Sequence, residues 1–265
     1  MFIDLLIAIF FFLVGLEIKA GMKEFSSAVV PIVSALGGMI APAVIFLALN
    51  PHSHVWATAM PTDIALALGV LSLLGKRVDI NVRIFLLTLA IADDFFSLIV
   101  LAIFYGNDLH PAKALTTLVA AAVGFVLPLR SRQGAKLIKI LTPISTYCIV
   151  PAIIIVNIPI HINLASFSST TTLSLIIART VGKVIGITVC AWACTKLGGT
   201  TNLSLREIAG IGTLAGMGLT VALVIADIVA GSTVELDQIR LGLFLSAILS
   251  GFAGYIWLRK TPAQR

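Results

Sequence analysis

The sequence predicts an all-α polytopic membrane protein with about nine transmembrane helices, on three observations. Of its 265 residues, 59% are hydrophobic and 11% charged, and the mean hydropathy is +1.10, outside the range of soluble domains. Apolar stretches of about 20 residues, the length that crosses the hydrocarbon as a helix, recur along the chain. The basic residues are also shared unevenly between the connecting loops. A β-barrel would need shorter segments of alternating polarity.

The spans expected are 2–19, 28–49, 55–75, 82–105, 112–129, 137–158, 172–195, 206–230 and 237–258. No segment between them is polar enough for a soluble domain, so residues 1–265 form one transmembrane unit. The opening MFIDLLIAIFFFLVGLEIK has an aspartate where a secretory leader has its basic region, and no small-residue cleavage site, so it is expected to be a retained span. Span three is interrupted at Ala59-Met60-Pro61-Thr62-Asp63, because proline removes a backbone donor and drives Met60 out of helical geometry. Span eight carries Gly210, Gly212, Gly216 and Gly218, which read as close helix packing or as a second break. Its pairing with the interrupted span three favours the break.

Lys19, Lys76, Arg77, Arg130, Lys196 and Arg259 are among the basic residues that flank odd-numbered loops or the C-terminus; only Lys113 and Arg240 flank even-numbered ones. The N-terminus is therefore expected outside and the C-terminus in the cytoplasm. The net charge of +6 then faces anionic lipid headgroups, with no call for nucleic acid. In this orientation spans two to four and seven to nine run in opposite directions, giving inverted three-helix repeats over approximately 28–105 and 172–258. Paired broken helices in such repeats point to a binding site near the midplane.

Asp63, Asp93, Asp94 and Lys183 fall near the centres of their spans. At roughly 2.5–3.5 kcal/mol each, they cost on the order of 10 kcal/mol before pairing. That is comparable to the whole stability of a domain, which makes a purely structural use a poor explanation. Three carboxylates and one ammonium do not cancel, so the cluster is suited to take up protons or a cation, the chemistry of ion/proton exchange. Successive helical residues lie about 100° apart, so Asp93 and Asp94 face different ways. One could meet a partner such as Lys183 while the other faces an aqueous funnel, or both could flank an ion. A static interhelical salt bridge is the structural alternative.

Other polar residues carry less. Glu17 and Lys19 are expected to pair at the interface, and Asp227 to be interfacial. Arg179, one turn before Lys183, is expected to snorkel toward the outer half or to meet a cavity carboxylate. His52, His54, His110 and His161 fall in outer loops and read as solvated. Cys148, Cys190 and Cys194 lie in apolar spans; Cys190 and Cys194 share a helix face without further ligands nearby and read as packing residues. An intramembrane aspartyl protease would need YD and GxGD strings, and neither occurs, so no enzyme is expected.

The strings FFLVGLEIK, GGMIAPA, TDIALALGVLSLLGKRV, LAIADDFFSLIVLAIFY, VGKVIGI and GYIWLR, in this order, resemble the NhaA family of bacterial Na+/H+ antiporters. That family is itself a reference case for broken helices in inverted repeats. The resemblance implies a multi-pass protein of the bacterial inner membrane that exports sodium or lithium in exchange for protons, for sodium and pH homeostasis, without a cofactor. It makes Asp93 and Asp94 the ion- and proton-binding pair, with Na+ held there and Asp94 its core ligand. It pairs Lys183 with Asp93, and places Thr62 and Asp63 at the crossing of the broken helices, where Asp63 offsets positive helix ends and Lys183 negative ones.

The chain also departs from the family pattern. By the resemblance it is expected to start at the family's second helix and, after GNDLHPAKA, to pass directly to GFVLPL, with about two internal helices missing. The hairpin that joins family homodimers is expected to be absent. Ile138, Lys139, Thr142, Ala20 and Gly21 stand where the family carries pH-sensing residues, so pH activation is expected to be blunted. A truncated homologue that folds without transporting is the competing expectation.

Overall fold

A computed structural model describes residues 2–21, 29–51, 53–75, 78–105, 111–127, 131–157 and 164–261. His52, His110 and His161 lie outside the described residues. The described chain is helical, without strands. Helices α1 (Phe2–Gly21) and α2 (Val29–Leu49) are followed by a 3-10 helix, His54–Ala59, and α3 (Ile64–Leu74). Next come α4 (Ile80–Tyr105) and α5 (Pro111–Val126), then α6 (Ser131–Ile144), which runs through a π-helical turn into α7 (Val150–Val156). The short α8 (Leu164–Phe167) precedes α9 (Thr170–Ile177), which passes through a second π-helical turn, Ala178–Gly182, into α10 (Lys183–Lys196). Helices α11 (Leu205–Ala215), α12 (Thr220–Val229) and α13 (Thr233–Lys260) complete the order.

Each expected span coincides with a helix or a helix pair, but the described residues contain six runs long and apolar enough to cross a membrane, or seven with the α11/α12 pair, which bends by 48°. Two expected spans fall short for physical reasons. Helix α1 carries Asp4, Glu17 and Lys19 within its 20 residues, and α5 has only 16. Large apolar side chains such as Ile40, Val44, Leu73, Ile103 and Phe252 are exposed, as suits surfaces that meet lipid.

Without a hydrophobic drive between helices in lipid, close backbone approach does the packing. Helices α2 and α10 cross where Gly37 faces Gly186: a Cβ on either would strike the other's carbonyl. This crossing fixes the height of Lys183, one turn earlier on α10. Pro42 lies inside α2 without breaking it, and Gly182 packs on it.

The span expected as a regular helix over 172–195 widens into the π-helical turn just before Lys183. Such turns add a residue to the ladder and re-aim the side chains around them, often at functional sites. The run IIARTVGKVIG is apolar around its two cations apart from Thr180 and gives no local signal of that turn.

Span eight divides the two roles offered for its glycines. The helix ends at Ala215, with Gly216 as its cap, and restarts at Thr220. Gly210 and Gly212 stay inside α11 and pack against Leu258 and Val184, so only Gly216 and Gly218 belong to the break.

Candidate ion-binding site

Two helices are cut at one level. The first gap runs from Met60 to Asp63 between the 3-10 helix and α3, the second from Gly216 to Leu219 between α11 and α12. The gaps touch through backbone: the Asp63 amide donates to the Met217 carbonyl at 3.3 Å. Broken ends at this depth leave amides with a partial positive charge at helix starts and carbonyls with a partial negative charge at helix stops.

Asp63 serves both starts. One carboxylate oxygen accepts the Leu66 amide at 3.2 Å, capping α3; the other accepts the Thr220 amide at 3.3 Å, at the start of α12. The Thr220 hydroxyl donates to that second oxygen as well. Leu219, the cap residue of α12, has no side-chain oxygen, so the acid is borrowed from the other break.

The carbonyl ends are held by Arg179, in a role the sequence does not announce. It neither snorkels nor meets a carboxylate; it is fully buried and donates only to main chain. Its Nη1 reaches the Thr58 carbonyl at 2.6 Å, Nη2 the carbonyls of Pro61 at 2.9 Å and Gly218 at 2.7 Å, and Nε that of Gly216 at 3.4 Å. The hydrogen bonds to these carbonyls come from Arg179. The available signal is a second cation one turn away on a buried span, whose planar fork suits several acceptors at once.

Lys183, equally buried, turns to side chains. Its Nζ donates to Thr62 Oγ1 at 2.8 Å and to Asp93 Oδ2 at 3.1 Å. Asp93 Oδ1 has no hydrogen-bond partner among the described residues, and neither does Asp94 Oδ1, although both are buried. Asp94 points elsewhere, as the 100° step requires, and lines a cavity of about 350 Å³ with Glu17, Thr62, Asp63, Thr142 and Thr220. Ala57, Met60, Ser97, Val100, Leu101 and Ile225 line a second spot that is packed without room for a water molecule. Of the buried aspartates, Asp63 and Asp94 line the cavity of about 350 Å³.

Glu17 and Lys19 do not form the expected ion pair. Glu17 faces the cavity and accepts the Thr142 hydroxyl at 3.1 Å, while Lys19 caps the end of α5 by donating to the Leu127 carbonyl at 2.6 Å. Two residues apart on a helix, they point to different sides. Asp227 pairs with Arg240 at 3.1 Å, and the same guanidinium donates to Asn157 at 2.7 Å, tying α12 and α13 to the end of α7. The three cysteines are free, and no group of three or more His, Cys, Asp or Glu among the described residues is placed to hold a metal ion.

A sequence model of the family described as Na+/H+ antiporter 1 matches residues 1–136 and 116–258, which include every residue of this site. Proteins named Na(+)/H(+) antiporter NhaA from Escherichia coli O1:K1 / APEC and from Shigella dysenteriae serotype 1 (strain Sd197) are each 32% identical to the chain, over 97% of it and 82% of their own length. The chain belongs to the NhaA family of Na+/H+ antiporters. Its alignment with these NhaA proteins runs over 320 positions, more than its 265 residues, so they carry internal segments that this member lacks.

Proposed function

We propose that the chain is a secondary active antiporter of a bacterial inner membrane, exporting Na+ or Li+ in exchange for protons around Asp93 and Asp94. One observation carries the reading: a buried carboxylate with an unpartnered oxygen, Asp94, lines a cavity, and the next carboxylate in the chain, Asp93, is held by a lysine. Hard carboxylate and hydroxyl oxygens suit a small alkali cation. A buried carboxylate is costly unless it is paired or protonated, so a cation and protons compete for the same oxygens. Entry of Na+ beside Asp94 and Asp93 draws Asp93 away from Lys183; its departure restores the pair and readmits protons. Each half of the cycle leaves the site close to neutral, as passage through a low-dielectric core demands.

In this reading the cavity beside Glu17 opens to the cytoplasm, the packed side beyond Met60 and Ile225 is the closed outer gate, and alternating access exchanges the two. The inverted repeats over 28–105 and 172–258, with the N-terminus outside, supply the pseudo-symmetry for that exchange. Asp94→Ala, assayed in everted vesicles, is expected to abolish Na+-dependent proton release while the protein still reaches the membrane. Undiminished exchange would remove Asp94 from the site. Expression of the parent chain in an antiporter-deficient host separates transport from the competing reading, since a homologue that only folds leaves the host sensitive to sodium.

A further inference from the structure

Two fully buried cations sit one turn apart, and they are used in opposite ways. Lys183 is bound by side chains that can leave it, Asp93 and Thr62. Arg179 is bound by main chain alone, with carbonyls from each of the two breaks: Thr58 and Pro61 from one, Gly216 and Gly218 from the other.

These are carbonyls that breaking a helix leaves unsatisfied. In a 3-10 helix the Thr58 carbonyl would take the amide of residue 61, and residue 61 is a proline without one. Left unpaired in the membrane, each such carbonyl costs several kcal/mol, so one rigid fork replaces several missing donors. The fork also fixes a distance. A planar guanidinium bonded on both sides cannot let the two gaps separate without losing contacts to one of them. Both gaps are packed directly on it: a Cβ at Gly218 would strike the Arg179 guanidinium and the Pro61 carbonyl together.

We infer that Arg179 is a positioning residue for the exchange: it pins the cut ends of both broken helices to each other behind the aspartates, which leaves Lys183 to serve Asp93 and Thr62 alone. This rests on the antiport reading for its consequence in transport, but not for the pin itself. A lysine at 179 keeps the charge and loses the fork, so Arg179→Lys isolates geometry from electrostatics.

The test uses the full-length chain, purified and reconstituted. Arg179→Lys is expected to fold with a thermal transition near that of the parent, yet to raise the Na+ KM roughly tenfold or more, with a smaller change in maximal rate, since misplaced ligand oxygens weaken ion binding and tenfold in affinity is only about 1.4 kcal/mol. Amide hydrogen exchange, read without Na+, is expected to quicken at least several-fold over 59–66 and 214–222 and to stay unchanged in α5. Arg179→Gln, which keeps two donors without charge, serves as the second variant should the lysine variant fail to fold, with the same pattern expected.

Parental KM and parental exchange in either folded variant overturn the pin. A lowered thermal transition with unchanged KM and no local quickening reduces Arg179 to a stabilising residue and also overturns it. Should the parent move no protons in response to Na+ while exchange still quickens at the two gaps, the antiport reading fails and the pin stands.

Discussion

The two breaks meet at one point but are made by different means. In the first, Pro61 withholds an amide and Asp63 caps the helix that follows, so both the interruption and the restart are written within five residues, Ala59 to Asp63. In the second, Gly216 has an ordinary right-handed backbone, with φ −63°, and Leu219 has no capping side chain. What stops and restarts that helix comes from elsewhere: Arg179 takes the carbonyls of Gly216 and Gly218, and Asp63 takes the amide of Thr220. The first break is made locally, and the second is held by the first together with the π-helical turn between α9 and α10. The glycines are needed for closeness to Pro61 and Arg179 and not for an unusual φ.

The sharpest way to break this comparison is Gly218→Ala. Its methyl group would meet the Pro61 carbonyl and the Arg179 guanidinium, neither of which is the free end of a flexible chain. A loss of about 3 kcal/mol, the upper end of ordinary overpacking, is expected. Fluorescence-detected gel filtration after heating should show the variant aggregating well below the parent. A parental transition would mean that the second break has slack and stands without contact from the first.

Thr220→Val is the intermediate case. It removes the hydroxyl that donates to Asp63 and keeps the amide that does the same, so one of the two bonds between Thr220 and Asp63 survives. A destabilisation of about 1–3 kcal/mol is expected. Thermal unfolding of the purified variant checks it, and a loss matching that of Gly218→Ala would make the hydroxyl, not the close approach, the principal tie.

The same contrast explains which features are legible in the sequence. The span positions, the Pro61 break and the different directions of Asp93 and Asp94 follow from hydropathy, proline chemistry and helical period, all local properties, whereas the place of Asp63 at the positive helix ends is implied only by the family resemblance. The role of Arg179 does not follow from any of these, because its partners lie about 40 residues along the chain in one direction and 120 in the other. The π-helical turn that aims it sits in a run without glycine or proline until Gly182. Glu17 meets the same limit: Lys19 is its neighbour in sequence, whereas Thr142, its hydrogen-bond partner, is 125 residues away. Nearness along the chain suggests ion pairs that the fold does not make, and a pattern of side chains carries no trace of acceptors on the backbone.

Pro61→Ala makes the smallest change and asks whether the first break is as local as its sequence suggests. The variant regains an amide that could pair with the Thr58 carbonyl and continue the 3-10 helix. Against that, Thr58 and Pro61 already give their carbonyls to Arg179, and the Asp63 amide is committed to Met217. If those tertiary bonds now dominate, the gap persists and only the proline's restriction of the unfolded chain is lost, about 0.4–1 kcal/mol. Thermal unfolding should then fall slightly, with amide exchange over 59–66 close to parental. Slowed exchange in that segment together with loss of Na+-driven proton movement would show the helix closing over the gap. The proline would then be what keeps the first break open, and Arg179 would be holding an opening that it does not make.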